Sequence, residues 1–129
     1  MLTPSSRKPT ASELEILQVL WERGPSTVRE VHQALSEKRP IGYTSVLKLM
    51  QIMTAKGTVR RNEEQRAHVY EAVQPAEKTK RQLALDVLQR VFDGSASQLM
   101  MHALAGHKGS KEEVQELRRL LNDYERKLR

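Results

Sequence analysis

Residues 42–57 read GYTSVLKLMQIMTAKG, a run closed by a glycine at each end and free of proline. Turned at about 100° per residue, it sets Val46, Leu47, Met50 and Met53 on one face and Thr44, Lys48, Gln51 and Ala55 on the opposite one. Gly57 suits the left-handed residue past a helix end, so the spacing predicts a helix that starts after Gly42 and stops there. Short hydroxyls, an amide and a lysine, with small Ala55 leaving room, match the donors and acceptors on the edges of a DNA major groove, although an ordinary solvated face carries the same residue types. Leu49 and Ile52 fall on the margin, where either a thymine methyl group or a neighbouring helix would cover them.

Upstream lie two further helices. Thr27 with Glu30 forms a capping box that opens a short helix with Val28, Val31 and Leu35 inward, ending near Lys38 to Pro40. Thr10 with Glu13 forms another, followed by an apolar stripe of Leu14, Leu17, Val19, Leu20 and Trp21 that stops at Gly24-Pro25. Residues 1–9, MLTPSSRKP, have no periodicity and read as a disordered arm in which Arg7 and Lys8 are candidates for the minor groove. Downstream the period changes to that of strands, with Thr58 to Asn62 running out, a polar tip from Glu63 to Arg66, and His68 to Val73 returning. A lone two-stranded hairpin is marginal in water and must lean on the helices. Three helices and a hairpin, in that order, make residues 10–75 a winged helix-turn-helix domain. Trp21, Tyr43 and Tyr70 are expected to close its small core.

Gln74-Pro75 marks a boundary, and residues 76–129 return to helical spacing. Leu83, Val87, Leu88, Val91 and Phe92 recur up to Asp93-Gly94, then Leu99, Met100, Met101 and Leu104 form a short stretch. Ser110 with Glu113 gives a third capping box, and Val114, Leu117, Leu121, Tyr124 and Leu128 alternate by three and four like one seam of packed helices. Fifty-four residues without metal or disulfide rarely stabilise themselves. A second copy of the same segment is the economical partner, with Leu83, Val87, Val91, Leu99, Val114, Leu117, Leu121 and Tyr124 the expected dimerisation residues. The fold class is thus mainly α with a small β-hairpin, a winged helix-turn-helix plus a helical dimerisation domain.

The 129 residues carry 22 Lys+Arg against 16 Asp+Glu, a net +6, which favours a polyanionic partner. From Lys38 to Arg66 seven basic residues, Lys38, Arg39, Lys48, Lys56, Arg60, Arg61 and Arg66, face only Glu63 and Glu64. Most of the excess charge therefore falls on the parts a winged helix presents to double-stranded DNA, with Arg60, Arg61 and Arg66 set for phosphates or the adjacent minor groove. The absence of cysteine excludes disulfides, thiolate zinc sites and cysteine nucleophiles. Apolar runs of four residues or fewer give neither a membrane span nor a signal-peptide core, so the chain reads as cytoplasmic. His32, His68, His102 and His107 form no catalytic or metal-binding arrangement, and no phosphate loop or nucleophile elbow is present, so neither an enzyme nor a cofactor is expected. The alternative to DNA binding is a winged-helix module that docks proteins, whose mark would be an apolar exposed face on the third helix. RNA binding ranks below both, because the chain has one Phe, three Tyr and one Trp and so lacks stacking platforms.

The ordered set SELEILQVLW (Ser12 to Trp21), Thr27-Val28 with Glu30-Val31, Gly42 to Leu47 leading to Lys56-Gly57, and His68-Val69-Tyr70 resembles the penicillinase and methicillin-resistance repressors, the BlaI/MecI family. Val91-Phe92-Asp93-Gly94 and the run from Glu112-Glu113 to Leu121 are similar to the family's dimerisation region, so the likeness spans residues 10 to 125. It implies a bacterial transcriptional repressor, a homodimer on an inverted-repeat operator. By the same resemblance Thr44, Ser45, Lys48 and Gln51 reach bases or phosphates and the wing arginines hold the backbone. Some members are released when a membrane sensor protease system triggers cleavage in the C-terminal domain. An ungapped alignment from Gly94 sets the equivalent bond between His102 and Ala103, where those members carry asparagine and phenylalanine. The paired cysteines of a copper-responsive branch are absent, which excludes that route of metal sensing.

Overall fold

The structure, a computed structural model, describes residues 8–129, so the expected arm of residues 1–9, Arg7 included, falls largely outside the described residues. The elements run α1 (Ala11–Arg23), β1 (Ser26–Thr27), α2 (Val28–Ser36), α3 (Tyr43–Lys56), β2 (Val59–Asn62), β3 (Val69–Ala72), α4 (Ala76–Arg90), α5 (Ala96–Ala105) and α6 (Lys111–Lys127). Two compact units, Met1–Ala84 and Leu85–Arg129, divide the chain inside α4.

In the first unit both expected capping boxes form. The Thr10 hydroxyl accepts from the Glu13 N–H at 3.2 Å while the Glu13 carboxylate accepts from the Thr10 N–H at 3.2 Å. Thr27 and Glu30 repeat the arrangement at 3.2 and 2.9 Å. The core comes from all three helices and the sheet: Ile16, Leu17 and Leu20 of α1, Val31 and Leu35 of α2, Val46, Met50 and Met53 of α3, with Val59 and Tyr70 closing it. Ile16 is the one fully buried α1 residue outside the expected stripe, whereas Leu14 and Trp21 pack only partly against the core. Trp21 instead donates its indole N–H to the Gln74 carbonyl at 3.0 Å, tying the chain's exit toward α4 to α1. Tyr43 departs from its expected core position. It is 47% exposed and stands edge-on to His32, with ring centroids 5.7 Å apart, because residue 43 opens α3 ahead of the inward-facing Val46.

The hairpin has a third strand. β1 pairs antiparallel with β3, giving the order β1-β3-β2 with Ser26 opposite Tyr70 and Arg61 opposite Tyr70 on the other edge. Two residues are too short to show a strand's alternation, and Thr27 is at once strand end and helix cap, so its capping signal masks the strand. A central β3 flanked on both sides answers the marginal stability of a lone hairpin.

In the second unit Asp93 and Gly94 take positive φ of 50° and 84°, and the Gly94 N–H reaches back to the Leu88 carbonyl at 2.9 Å, closing the helix end. The third capping box forms only by half. Ser110 accepts from the Glu113 N–H at 3.1 Å, but the Glu113 carboxylate turns to His107 Nε2 at 2.6 Å instead of returning to the cap. No residue of α5 or α6 is buried. Of the expected seam, Val91, Val114, Leu121 and Tyr124 are exposed, and Leu83, Val87, Leu99 and Leu117 are partly covered. Among the described residues no helix is long and apolar enough to cross a membrane.

Candidate nucleic-acid interface

α3 is fixed on its inner face and open on its outer one. Val46, Met50 and Met53 have no exposed surface, while Thr44, Ser45, Lys48, Gln51 and Ala55 are all exposed. None of those exposed side chains makes a hydrogen bond or ion pair with another described residue. Leu49 packs partly against the core and Ile52 does not, which separates the two marginal residues. The apolar surface that a protein-docking module needs is therefore limited to Ile52 and to Tyr43 at the start of the helix, nine residues apart and so on opposite sides of its axis. The N-cap Gly42 offers no side-chain hydrogen bond, so the first N–H groups of α3 keep their partial positive charge toward solvent.

Three contacts hold α3 and the turn before it in place. His32 Nε2 donates to the Ile41 carbonyl at 2.8 Å, joining α2 to the last residues before α3. Arg39 grips Glu15 with two bonds of 2.8 and 3.2 Å, and this hydrogen bonding to Arg39 holds the Glu15 carboxyl below its ordinary value. At the far end Lys56 Nζ lies 2.8 and 3.1 Å from the two oxygens of Glu13, which is 3% exposed. Gly57 then takes φ 83° and ψ 13°, the left-handed cap expected of it.

These pairs change the electrostatics inferred from the linear charge count. Arg39 and Lys56 are matched by carboxylates 24 and 43 residues away. On the wing Arg60 bonds Glu71 at 2.8 Å, its register partner across the hairpin, and Arg61 engages Glu63 and the Tyr70 hydroxyl. The Tyr70 bond is the main reason the Arg61 guanidinium is held even more firmly protonated than usual. Lys48 on α3 and Arg66 at the wing tip make no ion pair with any described residue. The acidic partners Glu13 and Glu15 carried no signal in a local charge window. Glu71 carried none either, since a hairpin with its tip at residues 63–66 would set Val69 opposite Arg60, whereas the observed connection runs from 63 to 68 and brings Glu71 there.

His102 and Ala103 lie inside α5, both exposed, with the His102 ring 5.7 Å from that of Phe92. Among the described residues no three His, Cys, Asp or Glu side chains are grouped to hold a metal ion.

A three-helix unit with a fixed, outward-facing third helix, a three-stranded wing and a following helical unit is a winged helix-turn-helix protein. Comparison with known proteins narrows this class. Residues 9–123 match the model of the penicillinase repressor family. Two proteins of Mycobacterium tuberculosis, from strains CDC 1551 / Oshkosh and ATCC 25618 / H37Rv, are each described as transcriptional regulator BlaI. Each is 32% identical to this chain over 114 residues, covering 88% of the chain and 82% of the relative. The chain belongs to the penicillinase repressor family and is a transcriptional repressor, not an enzyme.

Proposed function

We propose that the chain represses transcription by binding an inverted-repeat operator as a homodimer in the bacterial cytoplasm, residues 10–75 meeting double-stranded DNA and residues 76–129 joining the two copies. The observation that carries this reading is the outward row of α3, polar, exposed and free of intramolecular side-chain bonds on a helix whose other face is fully buried. Thr44, Ser45, Lys48 and Gln51 enter the major groove, and two-fold symmetry places the second α3 one helical turn or more along the same side of the duplex. Arg66 takes a phosphate directly. Arg60 and Arg61 reach one only by exchanging Glu71 and Glu63 for it, which a polyanion's field favours at low salt. Release by a sensor protease at His102-Ala103 requires local opening of α5 and a protease specificity unlike one for asparagine-phenylalanine.

Fluorescence anisotropy of a labelled duplex from upstream of the chain's own gene, titrated at several salt concentrations against scrambled competitor, tests the reading. Tight binding that survives competitor and falls steeply with salt is expected. Lys48→Ala should weaken it and lower the salt slope by about 1.8, the change for two phosphates, one in each half-site, left without a cation. Affinity equal for scrambled DNA and for every genomic fragment tried would overturn it in favour of a protein-docking module.

A further inference from the structure

α3 carries one feature that its polar row does not explain. Ile52 is 39% exposed on a helix where every other large aliphatic or thioether side chain, Val46, Leu47, Leu49, Met50 and Met53, packs into or against the core, and where the exposed aromatic Tyr43 at its start lies against His32. Isoleucine is a poorer helix former than leucine, methionine or alanine, so its presence at an exposed helical position gains nothing for the free protein. Its place on the helix is specific. Ile52 follows Lys48 by four residues and Ser45 by seven, which sets it about 40° round the axis from Lys48, toward Ser45. It therefore borders the row proposed to enter the major groove.

In that groove the one apolar group among the base edges that projects for contact is the 5-methyl group of thymine; cytosine has only a C5–H there, and the remaining edge groups are donors or acceptors. A branched aliphatic side chain beside a lysine and a serine excludes water from a methyl and offers nothing to a donor or acceptor, so it favours thymine over cytosine at the base it meets. We propose that Ile52 is a specificity-determining residue that reads a thymine methyl group in each operator half-site. This rests on the DNA-binding reading above and adds the chemistry of one base position to it.

The test uses the full-length protein and an operator selected from random duplexes. Each thymine of the half-sites is replaced in turn by deoxyuridine, which removes the methyl group and leaves pairing and hydrogen-bonding edges unchanged. Wild-type binding should weaken by about fourfold when one contacted thymine is stripped of its methyl and by about fifteenfold when the symmetric pair is. Ile52→Ala should bind the thymine and deoxyuridine duplexes equally at that position, and Ile52→Val should keep part of the difference. Equal wild-type affinity for every deoxyuridine duplex overturns the proposal. So does an Ile52→Ala variant that retains the wild-type methyl dependence, or one that dimerises more weakly at unchanged methyl dependence, which would place Ile52 against protein. Selection that returns no preferred sequence defeats the DNA-binding reading itself and is thus distinct from these results.

Discussion

Glu15 and Glu30 show how single carboxylates tie the wing unit's stability to pH. Glu15 is held below its ordinary 4.5 chiefly by the hydrogen bond from Arg39, and Glu30 chiefly by the backbone N–H of Thr27. A carboxyl whose folded pKa lies below its unfolded one stabilises the fold above the unfolded value, and that contribution disappears as pH falls through the folded one. Stability should therefore decline on acidification from about pH 4.5 downward. In a Glu15→Gln/Glu30→Gln double variant, where the new amide oxygen at position 30 still accepts from the cap, urea midpoints measured across that range should decline less steeply. An identical decline would assign the acid limb to other carboxylates. The same residues mark what was hidden in the sequence. The Glu30 box is spelled out by a three-residue spacing, but the Arg39–Glu15 and Lys56–Glu13 pairs join residues far apart in the chain, so charge counting credited both cations to the DNA face.

At the scale of elements, α1, α2 and α3 were legible because each carries its own start signal, stop signal and inward face over about two and a half to four turns. β1 was not, since two residues hold no period and its existence depends on where β3 comes to lie. The end of α3 offers a direct check on this local logic. A Cβ built on Gly57 meets nothing within 4 Å, so the cost of Gly57→Ala is that of forcing an L side chain to φ +83° and of nothing else. About 1 kcal/mol is expected, seen as a lower denaturant midpoint at unchanged slope. Gly42→Ala, at φ −76° with its nearest neighbour the Ser45 hydroxyl at 3.9 Å, should shift the midpoint far less. Equal destabilisation at the two ends would mean that α3 is not held by its left-handed cap. The outward row of α3 was equally legible from helical turning, whereas the division between Leu49 and Ile52 required the neighbouring helices.

For the molecule as a whole, the two units differ in how they satisfy their apolar residues. The first buries a core drawn from three helices and a sheet, while α5 and α6 of the second bury nothing. Leu121 is 67% exposed and Tyr124 63%, on a stripe that repeats by three and four. An exposed leucine replaced by aspartate changes a monomer's stability by only about 0.5 kcal/mol. In a two-fold dimer the same change sets two charges into one apolar seam, and at about 3 kcal/mol for each unpaired buried charge the dimer weakens by about ten-thousandfold. Leu121→Asp should therefore sediment as a monomer and lose operator affinity together, because a single wing unit reads only one half-site. Lys48→Ala should lose affinity and sediment as a dimer. The contrast separates the roles of the two units: a Leu121→Asp protein that sediments as the wild type does would remove the seam from the interface, whatever happened to DNA binding.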